Sequence, residues 1–135
     1  MKTRLAVVAA GIGLLMGSWA SVPAIAHHSF AAEFDAAKPV KLTGTVTKIE
    51  WMNPHAYFYI DVKDESGKVT NWGMEMGSPN GLMRQGWSRN SMKIGDEVTV
   101  EGSRAKDGSN IGNARSVTLT GGQKLFAGSS QTATP

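Results

Sequence analysis

Trp51-Met52-Asn53-Pro54-His55-Ala56-Tyr57-Phe58-Tyr59-Ile60 joins two strand-like runs through an Asn-Pro corner. Proline donates nothing to a strand ladder and turns its predecessor away from helix, so the first run must end here. Beyond the corner the residues alternate. Ala56, Phe58 and Ile60 point one way; Tyr57, Tyr59 and Asp61 point the other. The result is a strand with one apolar face and one polar aromatic face. The stretch also holds His55, the only histidine beyond the adjacent pair His27 and His28.

Working outward, Val40 to Trp51 reads as the first strand: Thr43, Thr45, Val46, Thr47 and Ile49 are β-branched, and Gly44 reads as a bulge or bend. The second strand is Ala56 to Val62. Asp64-Glu65-Ser66-Gly67 is a hairpin turn leading to a third strand, Lys68 to Met76. Ser78 then has the chemistry of a helix N-cap with Pro79 at the first helical position. The segment from Asn80 to Trp87 has room for about two turns at 3.6 residues each, anchored by Leu82, Met83 and Trp87. Lys93-Ile94-Gly95-Asp96 turns into a fourth strand, Glu97 to Ala105, in which Val98 and Val100 share a face. Lys106-Asp107-Gly108-Ser109 is the next turn, Ala114 to Thr120 the fifth strand, and Lys124-Leu125-Phe126 closes the domain. Three strands, a short helix, then two strands is the order of the OB-fold, and closing the sheet removes its exposed edges. The expected fold is mostly β: a small five-stranded OB-like barrel over residues 40–126 with one short helix between strands 3 and 4.

The ends read differently. Residues 1–26 have the form of a secretory signal peptide. Lys2 and Arg4 supply the basic start, and Ala6 to Met16 is an uncharged run of eleven residues, short of the roughly 20 needed to span a bilayer. Ala24 and Ala26 form the small-x-small cleavage pattern. Cleavage after Ala26 leaves 109 of the 135 residues, enough for one small domain, with His27 at the new N-terminus. Residues 27–39 form an arm with a helical turn over Ala31–Ala37, stopped by Pro39. Residues 127–135 form a disordered Gly/Ser/Thr tail.

Losing Lys2 and Arg4 leaves 12 basic against 11 acidic residues, so the formal charge drops from +3 to +1. A near-neutral exported domain has no electrostatic case for a nucleic-acid partner and no second apolar run for membrane insertion. The expected location is the periplasm. With no cysteine, no disulfide forms and no thiol nucleophile exists. No G-x-S-x-G or phosphate loop is present either, so an enzyme is not expected.

A metal ligand set is the chemistry these residues suit. The α-amine and imidazole of His27 form a compact chelate, and His28 adds a third nitrogen. Nitrogen donors favour Cu(II) among divalent first-row ions. His55 joins the set if the arm folds back to it, and Glu75 is an oxygen donor on the outward face of the third strand. The inward face of that strand carries Trp72, Met74 and Met76. Thioethers suit Cu(I), giving a second set of His55, Trp72, Met74 and Met76, although alternate Trp and Met in a strand are the usual content of a core.

His27-His28-Ser29-Phe30, Gly44-Thr45-Val46, Asn53-Pro54-His55-Ala56, Glu75-Met76-Gly77-Ser78-Pro79-Asn80, Gly86-Trp87 and Lys106-Asp107-Gly108-Ser109 together resemble a family of small exported bacterial proteins of unknown function. His55, Trp72, Met74 and Met76 have residue types similar to the metal ligands of the periplasmic copper chaperone of the Cus efflux system, also a five-stranded barrel. That resemblance implies Cu(I) or Ag(I) binding through histidine, methionine and tryptophan. The expected function is a periplasmic soluble binding protein that takes a transition metal, copper favoured, as carrier or sensor. The alternative is a metal-free module that binds a small molecule or an envelope protein through Tyr57, Tyr59 and Trp87.

Overall fold

The structure is a computed structural model, and it describes residues 30–128. A single helical turn, α1 (Phe30–Glu33), runs directly into a long strand, β1 (Phe34–Glu50). β2 (Tyr57–Lys63), β3 (Val69–Glu75), α2 (Pro79–Arg84), β4 (Glu97–Ala105), β5 (Ile111–Thr118) and β6 (Lys124–Phe126) follow. The sheet order is β3-β2-β1-β4-β5-β6, and a parallel pairing of β3 with β5 closes strands 1 to 5 into a ring. That connectivity, with α2 between the third and fourth strands, is the OB-like barrel. β6 is a three-residue addition hairpinned onto β5.

β1 makes closure possible by serving two neighbours. Its second half pairs with β2 (Thr45↔Asp61 to Glu50↔Tyr57) and its first half with β4 (Phe34↔Ala105 to Thr45↔Glu97). The irregularity against β2 falls between Val46 and Lys48. Gly44, expected to be the bulge, is instead a point of close approach: a Cβ there would overlap the Asp61 carbonyl oxygen.

β1 also begins earlier than the sequence suggests. Alanines favour helix locally, but one turn suffices before Phe34 pairs with Ala105 and is buried, so tertiary pairing overrides propensity. Pro39 does not end the element. The register jumps from Asp35↔Arg104 to Pro39↔Ser103, so Ala36, Ala37 and Lys38 leave the ladder and the proline sits at the irregularity, where its missing N–H costs least. At the other end the barrel takes in Ala127, read as tail: it is buried, its N–H donates to the Arg115 carbonyl and its own carbonyl accepts from Gly77.

The core is what strand alternation demands. Phe58, Ile60, Met74, Met76, Val98, Val100 and Val117 all point inward and are fully buried. α2 plugs one end. The Ser78 side chain caps it by accepting from the Gly81 N–H, and Leu82 is buried, whereas Met83, expected as an anchor, is half exposed. Trp87 is also in the core, its indole N–H donating to the Phe126 carbonyl at 2.8 Å. No helix among the described residues is long and apolar enough to cross a membrane.

Candidate functional site

Register places three polar side chains side by side on the outer face of the barrel. Tyr57 pairs with Glu75 across β2 and β3, and Glu75 pairs with Asn113 across β3 and β5. Their sequence neighbours Phe58, Met74 and Ala114 are core, so alternation turns these three away from it. They are nevertheless covered: Glu75 is 9% exposed and Asn113 is 6% exposed. The Tyr57 hydroxyl donates to Glu75 Oε2 at 2.7 Å, and the Asn113 amide reaches Oε1 at 3.5 Å. Burial of a carboxylate is costly unless hydrogen bonds and charge offset it, and here a phenol and an amide do so. Burial, then the bond to Glu75, pushes the Tyr57 phenol well above its ordinary value.

His55 completes the cluster. The cis Asn53-Pro54 corner delivers it just before β2, where Ala56 extends the ladder by bonding to Gly77 and Met76. Its Nδ1 lies 3.0 Å from the Met76 carbonyl oxygen and 3.8 Å from Glu75 Oε1. A carbonyl only accepts, so Nδ1 carries the proton of this bond. In the neutral ring Nε2 therefore keeps its lone pair, the arrangement in which histidines bind metals.

The arm approaches the same face. The Glu33 carboxylate adds to the upward push on Tyr57, and its carbonyl accepts from the Lys106 N–H at 2.8 Å. The rings of Phe30 and Phe34 pack 5.7 Å apart, and Phe30 shares a cleft with Asn113. His27 and His28 lie outside the described residues. Among the described residues no group of three or more His, Asp or Glu side chains converges as a metal site. The barrel itself brings together two of the expected ligands, His55 and Glu75.

The second ligand set is arranged otherwise. Trp72, Met74 and Met76 are buried in the core, and His55 meets the Met76 carbonyl just past β3 rather than a thioether. The cation over the Trp72 ring is the Arg104 guanidinium, 5.1 Å from its centroid and held by the carbonyls of Gly108 and Ser109. The aromatic surface expected for a metal-free module is reduced as well. Trp87 is 4% exposed, the Tyr57 hydroxyl is committed to Glu75, and Tyr59 lies under the Lys48 ammonium. Asn113 is the member that sequence reasoning missed. Only the parallel β3–β5 register brings it to Glu75, and no local pattern announces that pairing.

The model of a family of unknown function (DUF6152) matches residues 16–115. Among curated proteins nothing matches this sequence. The fold is similar to the N-terminal domain of PriB protein from Thermoanaerobacter tencongensis, solved as a dimeric structure. The TM-score is 0.45 at 21% identity, over 62% of this chain and 96% of that one.

Proposed function

This chain belongs to that family, and we propose that it is an exported, periplasmic binding protein for a transition metal, copper above others, acting as a carrier or sensor. The observation that carries the reading is His55. Its Nδ1 is engaged by a backbone carbonyl, which leaves Nε2 as a donor in the cluster whose Tyr57 feels the Glu33 carboxylate of the arm. His28 and His27 stand two and three residues before Phe30, so at about 3.5 Å per residue the chain can carry them at most roughly 7 and 10 Å from Phe30. Phe30 in turn shares a cleft with Asn113, which touches Glu75, which lies 3.8 Å from His55.

In this reading the metal-holding groups are the His27 α-amine and imidazole, His28 and His55. Glu75 faces the Nδ1 edge of His55, so it suits holding the ring in place as well as donating an oxygen. A copper(II) ion in that set would meet the nitrogen-rich environment it favours. The test is calorimetric titration of the exported protein, native N-terminus intact, with Cu(II), against His55→Ala and against a protein with one extra residue ahead of His27. The reading expects one-to-one binding that weakens at least about tenfold, or 1.4 kcal/mol, in both variants. Binding indifferent to His55→Ala would reduce the site to an N-terminal chelate and sink the proposal.

A further inference from the structure

The cleft beneath the arm is a second place where the fold is built for something other than packing. It has a volume of about 660 Å³, within the range of small-molecule sites. Two backbone irregularities border it. On one side β1 leaves the ladder between Asp35 and Pro39; on the other, β4 slips register against β5 between Glu101 and Gly102. Gly102, in the cleft lining, lets β4 come close to β5 at this slip, since a Cβ there would overlap the Asn113 carbonyl oxygen. Such irregularities re-aim side chains and recur beside binding sites.

The lining divides by chemistry. Phe30, Pro39 and Val40 give an apolar wall, while Ser103 and the buried Asn113 give a polar one. Charge at the rim is unequal. Arg115 and Lys41 line the cleft with one carboxylate, Glu101. That carboxylate already accepts from Lys124 and from the Ser116 hydroxyl, bonds that hold it below the usual carboxylate range. Among the described residues Arg115 has no ion pair. The rim therefore has an arginine fork available for an anion.

We propose that this cleft binds a small organic carboxylate, its acid group on Arg115 and its apolar body against Phe30, Pro39 and Val40. Arg115 supplies a planar donor pair matched to a carboxylate. Asn113 lies in the cleft wall, where its side chain also bonds Glu75. The proposal is independent of the metal reading, because it is tested on metal-free protein in chelator.

The experiment is a titration of the 15N-labelled exported protein with 3-phenylpropionate, followed by amide shifts, with 3-phenylpropanol as the uncharged control. Saturable shifts centred on Gly102, Ser103 and Asn113 are expected. The alcohol and the Arg115→Gln protein should each bind about tenfold more weakly, the loss of one charge-assisted bond. Arg84→Gln, on α2 and outside the cleft lining, should bind like the parent. Phe30→Ala should also weaken binding while leaving the preference for acid over alcohol intact. Equal binding of acid and alcohol, shifts outside the cleft, indifference to Arg115→Gln, or no shifts at all would each overturn it.

Discussion

The two faces of β3 are built from neighbouring residues and obey opposite rules. Its inward side, Trp72 and Met74 with Met76 just beyond, carries soft, apolar bulk and is sealed in the core. Its outward side carries Glu75, a carboxylate almost as buried as the methionines but held by Tyr57, Asn113 and His55. The inward face explains the stability of the barrel. The outward face is not required by folding, since an apolar residue of similar shape would close the same ladder without desolvating a charge. Polar groups gathered where the fold has no use for them are the reason to seek function there.

Mutations on the two faces should separate these roles. Met74→Ala empties a fully buried site and should cost about 3 kcal/mol in urea unfolding, lowering the midpoint without touching metal affinity. Glu75→Ala strands the Tyr57 hydroxyl and the Asn113 amide, and should cost about 2 kcal/mol. If Glu75→Ala cost as much as Met74→Ala, the outward face would be structural and the contrast would fail.

Tyr57→Phe removes one hydrogen bond, about 1 kcal/mol at neutral pH, and changes the alkaline limb. The phenol is held protonated in the folded state above its ordinary value. The unfolded chain therefore binds fewer protons once the pH passes about 10, and stability must fall there as pH rises. Urea midpoints between about pH 9 and pH 11 should drop less steeply in Tyr57→Phe than in the parent. The smallest effect is His55→Ala: about 1 kcal/mol or less of stability, since a partly exposed bond to Met76 and a 3.8 Å contact with Glu75 are lost. That variant should nevertheless give the largest loss of copper affinity among these four.

The sequence carried more of the inward face than of the outward one. Alternation in Tyr57–Ile60 and Glu97–Val100, the Asn-Pro corner and the Ser78-Pro79 cap are local signals, and they gave strand order and core. The start of β1 was not legible, because Phe34 is a strand residue only by virtue of Ala105 across the sheet. Thr47 rather than Gly44 takes the irregularity: it lies between Val46 and Lys48, just past Thr45, where the pairing with β4 ends. Glu75 and His55 were legible as outward residues by parity. Their contact with Tyr57 and Asn113 depended on the β2–β3 and β3–β5 registers, which no single stretch encodes.

The central claim is that His55 presents Nε2 as a free donor, and long-range 1H–15N spectra of its imidazole test it most directly. In the neutral ring of metal-free protein the account predicts a proton on Nδ1 and an unprotonated Nε2, whose signal shifts when one equivalent of diamagnetic Zn(II) is added. A ring protonated on Nε2 instead, with the Met76 carbonyl bond absent and no response to the metal, would contradict it.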